Sequence, residues 1–92
     1  MSSEWSEERP ATQEEQNICD IVRHQIPEDF KLYKAFAYRR LDLAGGGKHD
    51  IKVYVGDDKG VRLTIGHAFI STGPTDYKVE RTEHFTIGYV NI

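Results

Sequence analysis

The sequence predicts an α+β fold, with one N-terminal helix packed across a four- to five-stranded antiparallel sheet. Three observations predict it. A capping box at Thr12 opens a stretch with apolar residues at helical spacing. Two later runs alternate strictly between apolar and polar residues and are joined by a tight turn. After Pro27 no helical periodicity returns, and a helix followed only by strands indicates α+β rather than α/β.

Taken in order, residues 1–9 read as a flexible, acidic N-terminal arm, the usual state of a polar terminus. Trp5 is its exception: it either packs back on the body or contacts a partner. In Thr12-Gln13-Glu14-Glu15, Glu15 is placed to reach back to the Thr12 amide, and the acidic residues suit the helix dipole. Ile18, Cys19, Val22 and Ile26 then form one stripe with Ile21 beside it, leaving Gln16, Asp20, Arg23 and His24 outside. Pro27 disfavours helical geometry at Ile26, so the helix is expected to end there. From Lys31 to Arg40 the chain reads as a strand carrying Tyr33, Phe36 and Tyr38. Leu41 to Gly47 reads as a glycine-rich loop. Ile51, Val53 and Val55 alternate with polar neighbours, as do Val61, Leu63 and Ile65, and Gly56-Asp57-Asp58-Lys59-Gly60 joins the two runs as a hairpin. Ser71 to Asp76 is a further turn. Tyr77, Val79, Phe85, Ile87 and Tyr89 supply more strand material. Glu80 to His84 is either a turn between two short strands or part of a long connection.

Ninety-two residues suffice for a single domain, expected to span residues 1–92. The formal net charge of −3 comes with scattered Lys and Arg, which argues against a nucleic-acid partner. The one cysteine allows no intrachain disulfide. MSSEWSEERP has neither a basic region nor an apolar run, so a signal peptide is not expected. No segment is apolar enough for a membrane span. A cytoplasmic protein is the simplest fit.

The candidates for chemistry are few. His24, His49, His67 and His84 have no metal-ligand spacing. His49 and Asp50 are adjacent, which on a strand would send them to opposite faces, and a solvated turn is the expected setting for Lys48-His49-Asp50. Gly45-Gly46-Gly47-Lys48 has the wrong spacing for a phosphate loop, with no helix after it. Asp57-Asp58 falls in a turn, where Asp is favoured for backbone reasons. Cys19 lies on the core stripe with no base beside it. No catalytic residue, metal or cofactor is assigned, and an enzyme is not expected. A binding module is the remaining class, with the loops near Leu41 to Gly47 and Phe69 to Pro74 as its apolar tips.

Several segments resemble the stefins, the intracellular type-one cystatins. Pro10-Ala11-Thr12 is similar to the P-A-T that opens the stefin helix. Trp5-Ser6-Glu7 lies where the family has a large apolar residue followed by Ser-Glu. Lys34-Ala35 resembles the start of the second stefin strand. Ala44-Gly45 matches the end of the Q-V-V-A-G signature, Ile51 to Asp57 is close to I-K-V-x-V-G-D, and Val61-Arg62-Leu63 continues as V-x-L. The resemblance runs from about Trp5 to Ile65. It implies a cystatin-like fold whose sheet wraps the helix. It also implies reversible, non-covalent inhibition of papain-like cysteine proteases of the cathepsin type. A wedge of three segments would block the active-site cleft. Carried over by position, they are the arm Ser3, Glu4 and Trp5; the first hairpin Leu41, Asp42, Leu43, Ala44 and Gly45; and a second hairpin offering Phe69, Ile70, Gly73 and Pro74.

The chain departs from the family at two of these places. Arm glycines, which let a backbone lie flat, are replaced by Ser3 and Glu4. Q-V-V is replaced by Leu41-Asp42-Leu43, which puts a carboxylate at the tip. The competing reading is a stefin-fold interaction domain with weak or lost inhibition. A monomer is expected, with exchange of the helix arm between two chains as the route to a dimer.

Overall fold

The computed structural model describes residues 4–68 and 76–88. Thr12 starts the helix as expected. Its amide donates to Glu15 Oε1 at 2.7 Å, its hydroxyl donates to the same oxygen at 2.7 Å, and the Glu14 amide donates to Thr12 Oγ1 at 3.2 Å. These bonds satisfy Glu15, which is buried. Thr12→Ala removes the cap and exposes Glu15 to the cost of an unpaired buried carboxylate, so a loss of about 1 kcal/mol or more is expected in urea unfolding.

The α-helix, α1, spans Gln13–Val22, earlier than the expected end at Ile26, and continues as a 3-10 turn over Arg23–Gln25. Ile26 is extended, with φ −98° and ψ 124°. Pro27 enforces this geometry on the residue before it, and the last turn tightens to meet it. Ile18, Cys19, Val22 and Ile26 are all buried, as their spacing requires.

Among the described residues five strands follow one another in a single antiparallel sheet: β1 Arg9–Pro10, β2 Lys34–Leu43, β3 Gly46–Gly56, β4 Lys59–Ala68 and β5 Lys78–Thr86. Ile51, Val53, Val61, Leu63 and Ile65 present the inner face to the helix, and all five are fully buried. Two glutamines outside the apolar stripe clamp the helical segment across the sheet. Gln16 donates to the Tyr33 carbonyl at 3.1 Å and accepts from the Ala35 amide at 2.8 Å. Gln25 does the same at the start of β5, donating to Tyr77 O at 2.9 Å and accepting from Val79 N at 2.8 Å. Each side-chain amide replaces a missing ladder partner, which a buried strand backbone needs.

Three expectations are corrected. The glycine-rich loop from Leu41 to Gly47 is mostly strand: Leu43 pairs with Gly46, so only Ala44 and Gly45 form the turn. Lys48-His49-Asp50 is not a solvated turn but part of β3, with His49 and Asp50 both buried. Glu80 to His84 is neither a turn nor a connection but the middle of β5. Phe36, at the bulge between Ala35 and Ala37, is exposed to solvent. The hairpin at Gly56–Gly60 is as expected. Asp57 and Asp58 have φ of 55° and 58°, the left-handed pair that a two-residue turn between twisted strands requires.

Candidate functional site at the end of the sheet

The β2–β3 turn forms because Gly45 takes a φ of 81°, which a residue with a side chain adopts only under strain. Gly46 is fixed for a different reason: a Cβ there would collide with the His67 carbonyl of β4. From Tyr38 onward β2 alternates without interruption. Arg39, Leu41 and Leu43 therefore share the outer face, and Arg40 and Asp42 share the inner one. Leu41 and Leu43 are half-buried, while Ala44 and Gly45 are exposed. The Asp42 side chain is 74% exposed, with Arg40 NH2 3.4 Å from its Oδ1.

The arm reaches the same end. Ser6 N donates to Arg40 O at 2.8 Å, and Arg40 N donates to Ser6 Oγ at 2.9 Å. With Arg9 opposite Tyr38, the arm runs antiparallel to β2, so Trp5 and Glu4 lead toward Leu41 and Asp42. Glu4 is exposed and Trp5 half-buried. On the other side of the turn, Gly46 is paired with Ala68, the end of β4. Ser3, Phe69, Ile70, Gly73 and Pro74 lie outside the described residues. Of the sequence-assigned positions, Glu4, Trp5 and Leu41 through Gly45 are brought together at one end of the sheet.

Two charged or polar clusters flank this end, and neither was foreseen. On the outer face, the buried Asp50 carboxylate takes Arg62 Nε at 2.7 Å and 2.8 Å and Arg39 NH2 at 2.7 Å. Burial alone would raise its pKa, but hydrogen bonds from Arg62 and Arg39, with their charges, hold it below the ordinary carboxylate value. On the inner face, the His49 ring stacks on His67 with centroids 5.1 Å apart, and Tyr77 lies 6.2 Å and 5.2 Å from the two. Burial first, then the neighbouring His67 and Arg40, pushes the His49 pKa down to about 4, against opposing effects of Glu15 and Asp42. Strand alternation could have put Asp50 on the charged face with Arg39 and Arg62. Nothing local in sequence pairs His49 with His67.

The arrangement offers surfaces rather than reactive groups. The Cys19 thiol is pushed up to about 12, mainly by burial and then by Asp20 and Glu15, which keeps it protonated at neutral pH. Among the described residues no three His, Cys, Asp or Glu side chains are grouped to hold a metal ion. Among them, too, no helix is long and apolar enough to cross a membrane.

No family model matches the chain. Whole-chain relatives do. Cystatin-B of Macaca fuscata fuscata is 32% identical over 89 residues, covering 88% of this chain and 90% of the relative. Cystatin-B of Pan troglodytes and of Homo sapiens are each 30% identical over the same coverage. With one helix set against a five-stranded antiparallel sheet among the described residues, and this similarity along nearly its whole length, the chain belongs to the stefins, the type-one cystatins, a family of cysteine protease inhibitors.

Proposed function

We propose that this stefin is a cytoplasmic, monomeric inhibitor of papain-like cysteine proteases of the cathepsin type. It blocks the active-site cleft reversibly and without covalent attack. The arm at Ser3, Glu4 and Trp5 enters beside the hairpin tip Leu41 to Gly45, with Phe69, Ile70, Gly73 and Pro74 as a third contact. The observation that carries this reading is the pairing of Ser6 with Arg40, which puts the arm alongside the hairpin tip at one end of the sheet. An edge built from several chain segments, with Leu41, Leu43 and Trp5 half-buried, suits a cleft better than a flat partner.

Titration of papain and a cathepsin-type protease with the purified protein tests the proposal. Competitive, reversible loss of peptidase activity is expected. No inhibition at high micromolar concentration across several such enzymes defeats it. A second reading, a stefin-fold interaction domain with weak or lost inhibition, is favoured by one observation: Asp42 puts an exposed carboxylate at the tip that would enter the cleft.

A further inference from the structure

The outer face carries a continuous chain of contacts from the arm across the sheet. The Arg39 guanidinium lies over the Trp5 indole, 5.1 Å from the ring centroid. The same guanidinium is held by Asp50 Oδ2 at 2.7 Å. Asp50 is 4% exposed, in the middle of β3, and its other ligand is Arg62 on β4. Arg62 in turn reaches Glu83 on β5 at 3.6 Å. A long arginine side chain left to itself samples many rotamers, and one seated on a buried carboxylate does not. Arg39 is thus fixed as a platform, and the indole rests on it.

Two further contacts hold the same segment. Ser6 is bonded to the Arg40 backbone, and Glu8 Oε1 lies 2.7 Å from Lys52 Nζ on the outer face. Fixing a peptide arm before its partner arrives removes part of the ordering cost of association.

We propose that Asp50 and Arg39 are positioning residues for the arm, a latch that holds Trp5 against β2 and presents the arm preformed beside the Leu41–Leu43 edge. The latch itself is a property of the free protein; only its effect on affinity rests on the inhibitor reading above. Asp50 never meets a protease in this scheme. It acts through Arg39 across one strand spacing.

Trp5 is the only tryptophan of the chain, so indole emission reports the arm alone. The test is acrylamide quenching of that emission in the full-length protein and in Arg39→Gln, Arg39→Lys and Asp50→Asn. An exposed cation–π contact is worth a few-fold in equilibrium, so Arg39→Gln is expected to raise the undocked fraction of the arm about 3-fold and to increase quenching accordingly. Arg39→Lys keeps a cation that can reach Asp50 and is expected to restore most of the protection. Asp50→Asn is expected to reproduce the Arg39→Gln change although it does not touch Trp5. If Asp50→Asn fails to fold by circular dichroism, Arg39→Gln, whose side chain is one-third exposed, decides the matter.

The second readout is affinity for papain, expected to fall about 3-fold in Arg39→Gln as the ordering cost returns to the binding step. Unchanged quenching in Arg39→Gln overturns the latch, whatever inhibition shows. Affinity that does not fall while quenching rises overturns its role in presenting the arm. If the unaltered protein inhibits nothing while Arg39→Gln still raises quenching, the latch stands and the inhibitor reading alone fails.

Discussion

Asp42→Val is expected to tighten binding to papain about 100-fold. In the free protein Asp42 does little. Its side chain is 74% exposed, and its ion pair to Arg40 is long at 3.4 Å and also open to water, with the Arg40 side chain 45% exposed. Such a pair contributes at most about 1 kcal/mol. Entry into a protease cleft strips water from the tip. A carboxylate buried without a good partner then costs several kcal/mol, and about 3 kcal/mol corresponds to roughly a hundredfold in affinity. Arg40 travels on the same strand face and recovers part of that cost, which keeps the expected gain at the lower end of the range. Valine suits a strand position, so the substitution is expected to leave the urea midpoint almost unchanged. Inhibition constants from progress curves, measured for both proteins on papain, check the effect. Equal constants would show that Asp42 stays in water, and the hairpin tip would then not enter the cleft. No inhibition by the unaltered protein, with strong inhibition by Asp42→Val combined with Glu4→Gly, would favour the interaction-domain reading.

That prediction rests on a part of the molecule legible in the sequence only by position. The helix and its core stripe were readable because Thr12, Glu15 and the spacing of Ile18, Val22 and Ile26 are local signals, and all act as local chemistry says. The β3–β4 hairpin was readable for the same reason, since Asp57 and Asp58 tolerate the positive φ that its turn demands. The tip was misread because three consecutive glycines look like a loop, whereas Gly46 is there to let the β4 backbone approach. The burial of His49 and Asp50 was also missed. Their partners, His67, Arg39 and Arg62, come from other strands, and only the register brings them together. The two glutamine clamps escaped for that reason too: Gln16 and Gln25 look like solvated helix positions until β2 and β5 are placed beside them.

His49 is expected to make the fold weaken as pH falls from about 6.5 to about 4. Both of its ring nitrogens are buried without a hydrogen-bond partner among the described residues. The groups facing it are His67 from β4, Arg40 and Asp42 from β2, and Glu15 from α1, with the Tyr77 ring alongside. Burial, His67 and Arg40 together outweigh the two carboxylates, so the folded protein resists protonating His49 until about pH 4. The unfolded chain takes up that proton near pH 6.5. Above pH 6.5 the ring is neutral in both states and its contribution is fully present. Between the two values only the unfolded state gains the proton, and about 3 kcal/mol of stability is lost by pH 4. Further acidification adds nothing from His49. Asp50, whose pKa lies below its ordinary value of 3.8, then continues the loss as its carboxylate is protonated. His49→Phe keeps an aromatic ring against His67 and removes both unpartnered nitrogens. Its stability in urea is expected to match or exceed that of the unaltered protein at pH 7 and to fall far less by pH 4.5. Parallel pH–stability curves for the two proteins would clear His49 of the effect. Because His49 pairs with Arg40 in the ladder and lies just beneath the Ala44–Gly45 turn, the strands bearing the proposed protease-binding tip are where acid should first loosen the sheet.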